Sequence, residues 1–415
     1  MEKAILKLLC AARRMSLLIA ALTAPLAGAA QENGAQRLFE TVEGGIPYRI
    51  PAITTCQDGT LIAVSDYRYC GSDIGYGAVD LHYRLSEDNG RTWGTERILA
   101  DGTGDEDDVK QPQTAWRYAF GDCAIVADRE SPEVVVLCVG GKTVYSRATR
   151  RNPNRVVLFR SHDNGRSWDQ GRELTEQIYS LFDQRKEGPV QSLFVGSGKI
   201  HQSRYVKVGQ YYRLYIALCT LSGNFVLYSD DLGATWQLLG EADHSPARDG
   251  DEPKCEELPD GSVVLSSRYR GRLYNIFTFT DVERGEGSWD LRAKALDMKD
   301  IRNACNGEIM LLPVTRTKDR KKVWIALQSV PFGPDRQNVG FYYHELLAEH
   351  EGAALFAYRW KKGLQVSRQW SAYSTFTLQH DGRLGFLWEE GPTGYNIDYR
   401  PLTVEEITQG EYALR

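Results

Sequence analysis

The chain is poor in the features that mark several classes of protein. It has 415 residues with only 7 His, and 50 basic against 55 acidic side chains give a formal net charge of −5. The acidic balance argues against nucleic acid as a partner, because phosphate binding needs a basic face. No spacing of Cys and His resembles a metal-ligand set. We therefore expect no metal, no other cofactor and no nucleic acid.

Long apolar runs are also missing after residue 30, so we expect no stable membrane insertion. Residues 1–30 are organised like an export signal, with basic residues first, an apolar run at 15–26 and small residues at 27–30. The alternative is a membrane anchor, but this run falls well short of the about 20 residues needed to span a bilayer. The pattern predicts a cleaved signal peptide and a secreted or periplasmic mature chain.

The mature chain has few cysteines and no interdomain linker. Cys10 leaves with the predicted signal, so an odd number, seven, remains. Cys123 and Cys138 flank two apolar runs that can pair as strands, and both a disulfide and buried free thiols stay open there. No Pro/Ser-rich or low-complexity segment divides residues 31–415. We predict that they form one domain.

The most informative pattern is a repeat of eight residues. Its three copies are residues 86–93 (SEDNGRTW), 161–168 (SHDNGRSW) and 229–236 (SDDLGATW). In each copy an Asp lies two residues before a Gly, which is typical of a tight turn. The flanking segments are short and rich in β-branched and aromatic residues, so each copy should close a β-hairpin. Residues 280–289 keep the Asp, Gly and Trp with an insertion and form a degenerate fourth candidate.

The spacing of the repeats predicts a modular all-β fold. The copies begin 75 and 68 residues apart, and 385 residues divided among six units gives about 64 each. Propellers contain about 4–8 blades of four strands each. The sequence thus predicts a six-bladed β-propeller of four-stranded antiparallel blades. The fifth blade has no recognisable copy, since residues 338–360 lack the pattern.

Several short motifs precede the first repeat. Tyr48-Arg49-Ile50-Pro51 is followed by Asp66-Tyr67-Arg68 and by residues 71–75 (GSDIG). Together with the repeats, this combination resembles the bacterial exo-sialidases, whose marks are an Arg-Ile-Pro motif and Asp boxes on a six-bladed propeller. The resemblance covers nearly all of residues 31–415 and implies a site for terminal sialic acid.

The resemblance implies that three arginines bind the sialic acid carboxylate. Arg49, Arg268 and Arg336 match them, and planar guanidinium groups suit a carboxylate because they donate two parallel hydrogen bonds. Clustered cations repel one another, so an acidic neighbour is expected. Glu389 matches the glutamate that steadies the first arginine, with Glu390 as its competitor.

The resemblance also implies a tyrosine nucleophile. Neutral tyrosine approaches a substrate carboxylate without the repulsion that a catalytic carboxylate would meet, but its ordinary pKa near 10 requires a base. Tyr373 matches the nucleophile and Glu252 its partner. Glu256 and Glu257 are interpreted as surface or strand-end residues. Sialidases are exceptions to the two-carboxylate scheme of glycosidases.

The acid and the pocket rim come from the segments after the Arg-Ile-Pro motif. Asp73 matches the acid/base aspartate, and because it must hold a proton we expect partial burial or a closing loop. Asp66 and Arg68 brace the rim and the carboxylate pocket, and Asp122 matches an aspartate near the N-acetyl group. Residues 196–202 should face the site.

These residues together predict an exo-α-sialidase that hydrolyses terminal sialic acid from glycoconjugates with retention through a tyrosine-linked intermediate. We expect a monomer whose partners are sialylated glycans. Transfer of sialic acid to another sugar or to its own hydroxyl is the alternative within enzymes. A non-catalytic Asp-box propeller that binds glycans is the alternative of a different class.

Overall fold

The computed structural model describes residues 34–392 and 394–415, and the predicted signal peptide lies outside them. The described chain is mostly β, with 46% strand and 8% helix. Its strands form six sheets arranged as a six-bladed propeller, which confirms the predicted fold class, and they are antiparallel except that Gly198–Lys199 runs parallel to Phe120–Ala127. Among the described residues no helix is long and apolar enough to cross a membrane.

The first three blades use most of the chain up to residue 238, with strands numbered in chain order. The first contains β2 (Tyr48–Thr55), β3 (Leu61–Tyr67), β4 (Asp80–Ser86) and β5 (Arg97–Ala100). The second contains β6 (Phe120–Ala127), β7 (Val134–Gly140), β8 (Arg155–Ser161), β9 (Arg172–Glu173) and β11 (Gly198–Lys199). The third contains β10 (Leu193–Val195), β12 (His201–Val208), β13 (Tyr211–Thr220), β14 (Gly223–Ser229) and β15 (Gln237–Leu238).

The remaining blades follow the same plan. The fourth contains β16 (Asp251–Glu257), β17 (Val263–Tyr269), β18 (Gly271–Asp281), β19 (Glu286–Trp289) and β20 (Ala293–Lys294). The fifth contains β21 (Ile309–Arg316), β22 (Lys322–Pro331), β23 (Val339–Glu345), β24 (Lys361–Gln365) and β28 (Tyr412–Leu414). The sixth contains β25 (Ser371–Leu378), β26 (Leu384–Glu390), β27 (Asn396–Leu402) and β1 (Gln36–Phe39). Four blades therefore carry a fifth short strand beyond the predicted four.

Short helices connect some of these strands. The α-helices are α1 (Glu106–Lys110), α2 (Thr175–Ser180), α3 (Ala353–Phe356) and α4 (Val404–Ile407). The 3₁₀ turns are Ala115–Tyr118, Tyr145–Arg147 and Leu296–Met298.

The ring is closed by strand β1, which precedes the first blade in sequence but pairs with β27 of the last. The core lies between blades: six hydrophobic clusters each join two neighbouring blades around the ring. A middle strand is therefore covered on both faces, which explains why β7 is buried along its whole length. The short apolar runs of the sequence, such as residues 134–139, lie in these middle strands.

The three eight-residue repeats close the β4–β5, β8–β9 and β14–β15 hairpins, as predicted. In the first copy the Thr92 amide and hydroxyl both donate to Asp88, at 2.9 and 2.7 Å, and Gly90 has φ +77°. The Trp93 ring contacts Tyr399 of the preceding blade at 5.0 Å. Each repeat therefore satisfies its own turn and attaches it to the neighbouring blade.

The weaker sequence features also have clear outcomes. The degenerate fourth copy joins β18 to β19, but Asp281 accepts only the Arg284 amide at 3.2 Å among the described contacts of that turn. The fifth blade has α3 in its β23–β24 connection instead of a repeat. The runs after Cys123 and before Cys138 do pair, as β6 with β7. All seven cysteines in the described part of the chain are free thiols.

Candidate functional site

The predicted site residues meet at the end of the ring where the innermost strands begin. Four of these strands, β2, β6, β16 and β25, have an irregular register at their first residues. The irregular segments lie at Arg49–Ala52, Gly121–Ala124, Asp251–Pro253 and Ser371–Ser374. A β-bulge re-aims a side chain, and each of these segments contains a predicted site residue.

Two of these bulges require unusual backbone angles. Ile50 and Asp122 have φ of +54° and +50°, a region that costs a β-branched residue especially. A carboxylate from the second strand of the preceding blade holds each one. Glu389 accepts the Ile50 amide at 2.9 Å, and Asp66 accepts the Asp122 amide at 3.0 Å. The same interaction, a carboxylate that accepts a bulge amide of the next blade, thus occurs twice. No sequence pattern predicted it.

Arg49 lies inside strand β2. Its guanidinium pairs with fully buried Glu389, with Nε 2.7 Å from Oε1. Glu389 also accepts the Tyr373 amide at 3.2 Å, so one carboxylate ties the arginine to the bulge of the sixth blade. Glu390 has other partners, Gln369 and Trp388, and does not compete for Arg49.

The other two arginines approach from blades four and five. Arg268, near the end of β17, donates to Glu252 at 2.5 Å and to Asn303 at 2.8 Å. Arg336, in the β22–β23 loop, has its guanidinium carbon 5.4 Å from the centre of the Tyr373 ring, and that of Arg49 is 5.7 Å away. The structure therefore brings all three predicted arginines around Tyr373.

Tyr373 and Glu252 are in direct contact. The tyrosine hydroxyl donates to Glu252 Oε1 although the two residues are 121 positions apart in the sequence. Burial raises the pKa of Tyr373 well above its ordinary value, and the negative charge of Glu252 raises it further, while Arg268 and Arg336 oppose the shift. The phenol is therefore neutral, and its proton acceptor Glu252 is already in contact with it.

A second polar group surrounds Arg68, at the start of the β3–β4 loop. Arg68 and Asp66 are both buried and paired at 2.9 Å, and Arg68 also contacts the carboxylates of Asp73 and Asp122. Burial raises the pKa of Asp122 to about 6, with the charges of Asp73 and Glu252 adding to the shift. The side chain of Asp73 is 75% exposed, so the expected burial is not observed. A closing loop remains a prediction.

These side chains line a cavity of about 250 Å³. Sequence reasoning missed much of its wall, namely Ile74, Val139, Thr143, Tyr145, Asn154 and Phe194. Ser197 lies in residues 196–202, which were expected to face the site, and Ile74 follows Asp73 in residues 71–75. The missed residues are of ordinary types in ordinary strands and loops, and only the folded arrangement reveals them.

The interpretation of Glu256 and Glu257 as surface residues is wrong, whereas their position at a strand end is confirmed, because β16 ends at Glu257. Both lie in β16 and are fully buried. Glu256 pairs with Lys199 at 2.6 Å, and Glu257 accepts the Ser203 hydroxyl at 2.6 Å. They belong to a polar network near the propeller axis, where ion pairing offsets the cost of burial.

Comparison with known proteins identifies relatives of one kind. The sialidase of Paraclostridium sordellii is 24% identical over 366 residues, covering 86% of this chain and 84% of that protein. The sialidase of Micromonospora viridifaciens is 32% identical over 265 residues, covering 60% of this chain but only 38% of that protein. The chain is a sialidase homologue.

Solved structures agree on the fold of this sialidase homologue. The intramolecular trans-sialidase from Ruminococcus gnavus superposes with a TM-score of 0.66 at 16% identity, over 89% of this chain and 98% of that one. No protein-family model matches the chain. The sequence relatives therefore carry the assignment, and the structural likeness supports the architecture of the homologue.

Proposed function

We propose that this protein is a retaining exo-α-sialidase that removes terminal sialic acid from glycoconjugates. The observation that carries the proposal is the contact between the Tyr373 hydroxyl and Glu252 inside a ring of three arginines. The sialidase relatives support the same reaction class.

The three arginines account for recognition of an anionic sugar. Arg49, Arg268 and Arg336 present donors that stay charged at any working pH, and such groups pair with a carboxylate in a fixed plane. Glu389 and Glu252 already pair with the first two, which limits the repulsion between the cations before substrate binds. A cavity of about 250 Å³ suits one sugar unit, which supports removal of terminal residues.

Tyr373 and Glu252 supply the attacking group. As the Tyr373 oxygen bonds to the anomeric carbon, its proton passes to Glu252 and the glycosidic bond breaks. Asp73 donates a proton to the departing oxygen. In the second step Asp73 removes a proton from water, the water oxygen bonds to the anomeric carbon, and the tyrosine oxygen leaves and recovers its proton from Glu252. Two displacements at one carbon give retention.

To act as the acid, Asp73 must move toward the departing oxygen of the substrate. Its carboxylate contacts the buried Arg68, and its side chain is largely exposed to solvent. We infer that bound substrate draws the loop at residues 71–75 inward and loosens the contact with Arg68. Asp66 and Asp122 keep Arg68 paired when Asp73 moves, which lowers the cost of that motion.

Transfer instead of hydrolysis uses the same residues. The fold neighbour from Ruminococcus gnavus is an intramolecular trans-sialidase. An assay must therefore identify the released sugar as well as measure its amount. A glycan-binding protein without activity is the remaining outcome.

The test is hydrolysis of a fluorogenic α-sialoside by the purified protein with a metal chelator present. We expect fluorophore release that the chelator does not change, and free sialic acid that appears first as the α-anomer by NMR. An anhydro sugar or a sialylated galactoside acceptor would indicate transfer. Binding without turnover would contradict the proposal.

We further propose that residues 31–415 act as one monomeric domain after export and removal of residues 1–30. N-terminal sequencing of the exported protein and its mass in solution test these points. An intact N-terminus or a stable dimer would contradict them.

A further inference from the structure

A second cavity of about 250 Å³ lies at the rim of the third blade. Its wall includes Arg185, Lys186, Ser222 and Arg248, with the acidic residues Glu187 and Asp243 beside them. Ser222 is in the β13–β14 turn, which is at the same end of the blade as the β17–β18 turn beside Arg268. The cavity therefore opens on the same face as the candidate site.

Arg185 is the unusual member of this wall. Its side chain is only 1% exposed, and its Nε and Nη1 atoms have no hydrogen-bond partner in the described part of the chain. Its closest anionic contact is Glu187 at 3.4 Å, and its guanidinium carbon is 5.5 Å from the centre of the Phe225 ring. Buried N–H groups normally donate hydrogen bonds, so the Nε and Nη1 atoms of Arg185 can bind an acceptor from outside the chain.

The charges around Arg185 favour an anion. Lys186 pairs with Asp243 at 3.3 Å and Arg248 with Glu187 at 3.5 Å, which leaves three cationic side chains for two carboxylates. Lys186 and Arg248 are 84% and 70% exposed, and ion pairs of such groups are weak in water. An incoming anion can therefore compete for them.

The second cavity is close to the first. Tyr145 of the candidate site contacts the Cys219 sulfur with its hydroxyl at 3.7 Å. Ser222 follows Cys219 by three residues, which separates their Cα atoms by no more than about 11 Å. One glycan can therefore reach both places.

We propose that this cavity is an accessory subsite for the anionic group, carboxylate or sulfate, of a sugar next to the terminal sialic acid. The proposal rests on the proposed sialidase function. Arg185, Lys186 and Arg248 supply the charge, and the Ser222 hydroxyl supplies a neutral donor. The protein then favours glycans that carry a second negative charge near the one it removes.

The test compares substrates that differ only in that second charge. Wild type, Arg248→Gln, Arg185→Gln and Ser222→Asp are assayed with sialyllactose, α2,8-linked disialyllactose and sialyllactose sulfated on its galactose. Arg284→Gln is the control, because Arg284 is 74% exposed and lies in the β18–β19 turn on the opposite face. We expect KM to rise about fivefold in the three cavity variants for a doubly charged substrate, and to stay within about twofold for sialyllactose.

The two doubly charged substrates identify the source of the anion, since the one whose KM responds carries the preferred group. Equal changes for all three substrates, or none, would overturn the proposal. Arg248→Gln and Ser222→Asp decide the matter if Arg185→Gln does not fold. If wild type hydrolyses no sialoside, the proposed function fails. Binding at the subsite is then measured by calorimetric titration with disialyllactose. Equal Kd values for wild type and Arg248→Gln would overturn the subsite proposal.

Discussion

The two faces of the propeller satisfy their polar groups in different ways. In the repeated turns, the hydrogen bonds of the Asp carboxylates are local: Asp163 accepts the amide and hydroxyl of Ser167, four residues away. At the cavity some carboxylates have distant partners, since Arg49 and Glu389 are 340 positions apart, although Arg68 pairs with the nearby Asp66. A local turn needs only its own segment, whereas the cavity exists only after the ring has closed.

The carboxylates of the two faces differ accordingly. Burial alone would raise the pKa of Asp163, but hydrogen bonds from Ser167 and Ser161 bring it below its ordinary value. Burial raises the pKa of Asp122 to about 6 because the opposing charge of Arg68 does not fully compensate. The turn therefore stabilises the ionised form of Asp163, whereas burial at the cavity disfavours the ionised form of Asp122.

The largest expected effect of this difference is on turnover. Glu252→Gln keeps the shape of the side chain but removes the proton acceptor for Tyr373, so kcat should fall about 10²–10⁴-fold. Asp251→Asn is the control, because the neighbouring Asp251 is 56% exposed and 3.7 Å from Arg268. If kcat of Glu252→Gln stayed within tenfold of wild type, Glu252 would not be the proton acceptor for Tyr373.

Next in size is the stability of the cavity face. Glu389→Ala leaves Arg49 without its partner and the Ile50 amide without an acceptor, so the free energy of unfolding should fall by about 3–5 kcal/mol. Denaturant titration measures this loss, with Glu40→Gln as an exposed control. A loss below about 1 kcal/mol would show that the bulges do not depend on the carboxylate.

The repeated face should affect folding alone. Asp163→Ala removes hydrogen bonds within one turn and should lower the free energy of unfolding by about 2 kcal/mol. Turnover of the folded variant should stay within about twofold of wild type. A large change in kcat would contradict the separation of the two faces.

The last expected effect depends on pH. The pKa of Asp122 in the folded protein, about 6, lies above its ordinary 3.8, so folding is favoured below pH 3.8 and that contribution is lost as pH rises through 6. Asp122→Asn does not titrate. Relative to wild type, the variant's free energy of unfolding should therefore be higher by about 2 kcal/mol at pH 7.5 than at pH 4. A difference independent of pH would contradict the assigned shift.

Local chemistry decided what could be predicted from the sequence. The Asp, Gly and Trp of each repeat act within one hairpin, so residues 86–93, 161–168 and 229–236 predicted their turns directly. Arg49 and Tyr373 were predicted through the family resemblance, which substitutes for the long-range information that a single sequence lacks. Their catalytic roles remain predictions.

Other features depend on contacts between blades and leave no local signal. The positive φ of Ile50 and Asp122 arises from carboxylates of a neighbouring blade. The burial of Glu256 and Glu257 depends on cations that approach from the second and third blades, such as Lys199 and Arg204. The exposed position of Asp73 likewise follows from how its loop rests on Arg68.

The central claim is that Tyr373 is the nucleophile. The most direct test compares Tyr373→Phe with Tyr395→Phe, because Tyr395 also lies against Arg49, at 4.8 Å, but makes no described hydrogen bond to Glu252. We predict that Tyr373→Phe lowers kcat for a fluorogenic sialoside by about 10³-fold or more while its Kd for a sialic acid analogue stays within about threefold. Tyr395→Phe should retain most turnover. Near-normal turnover in Tyr373→Phe would contradict the account.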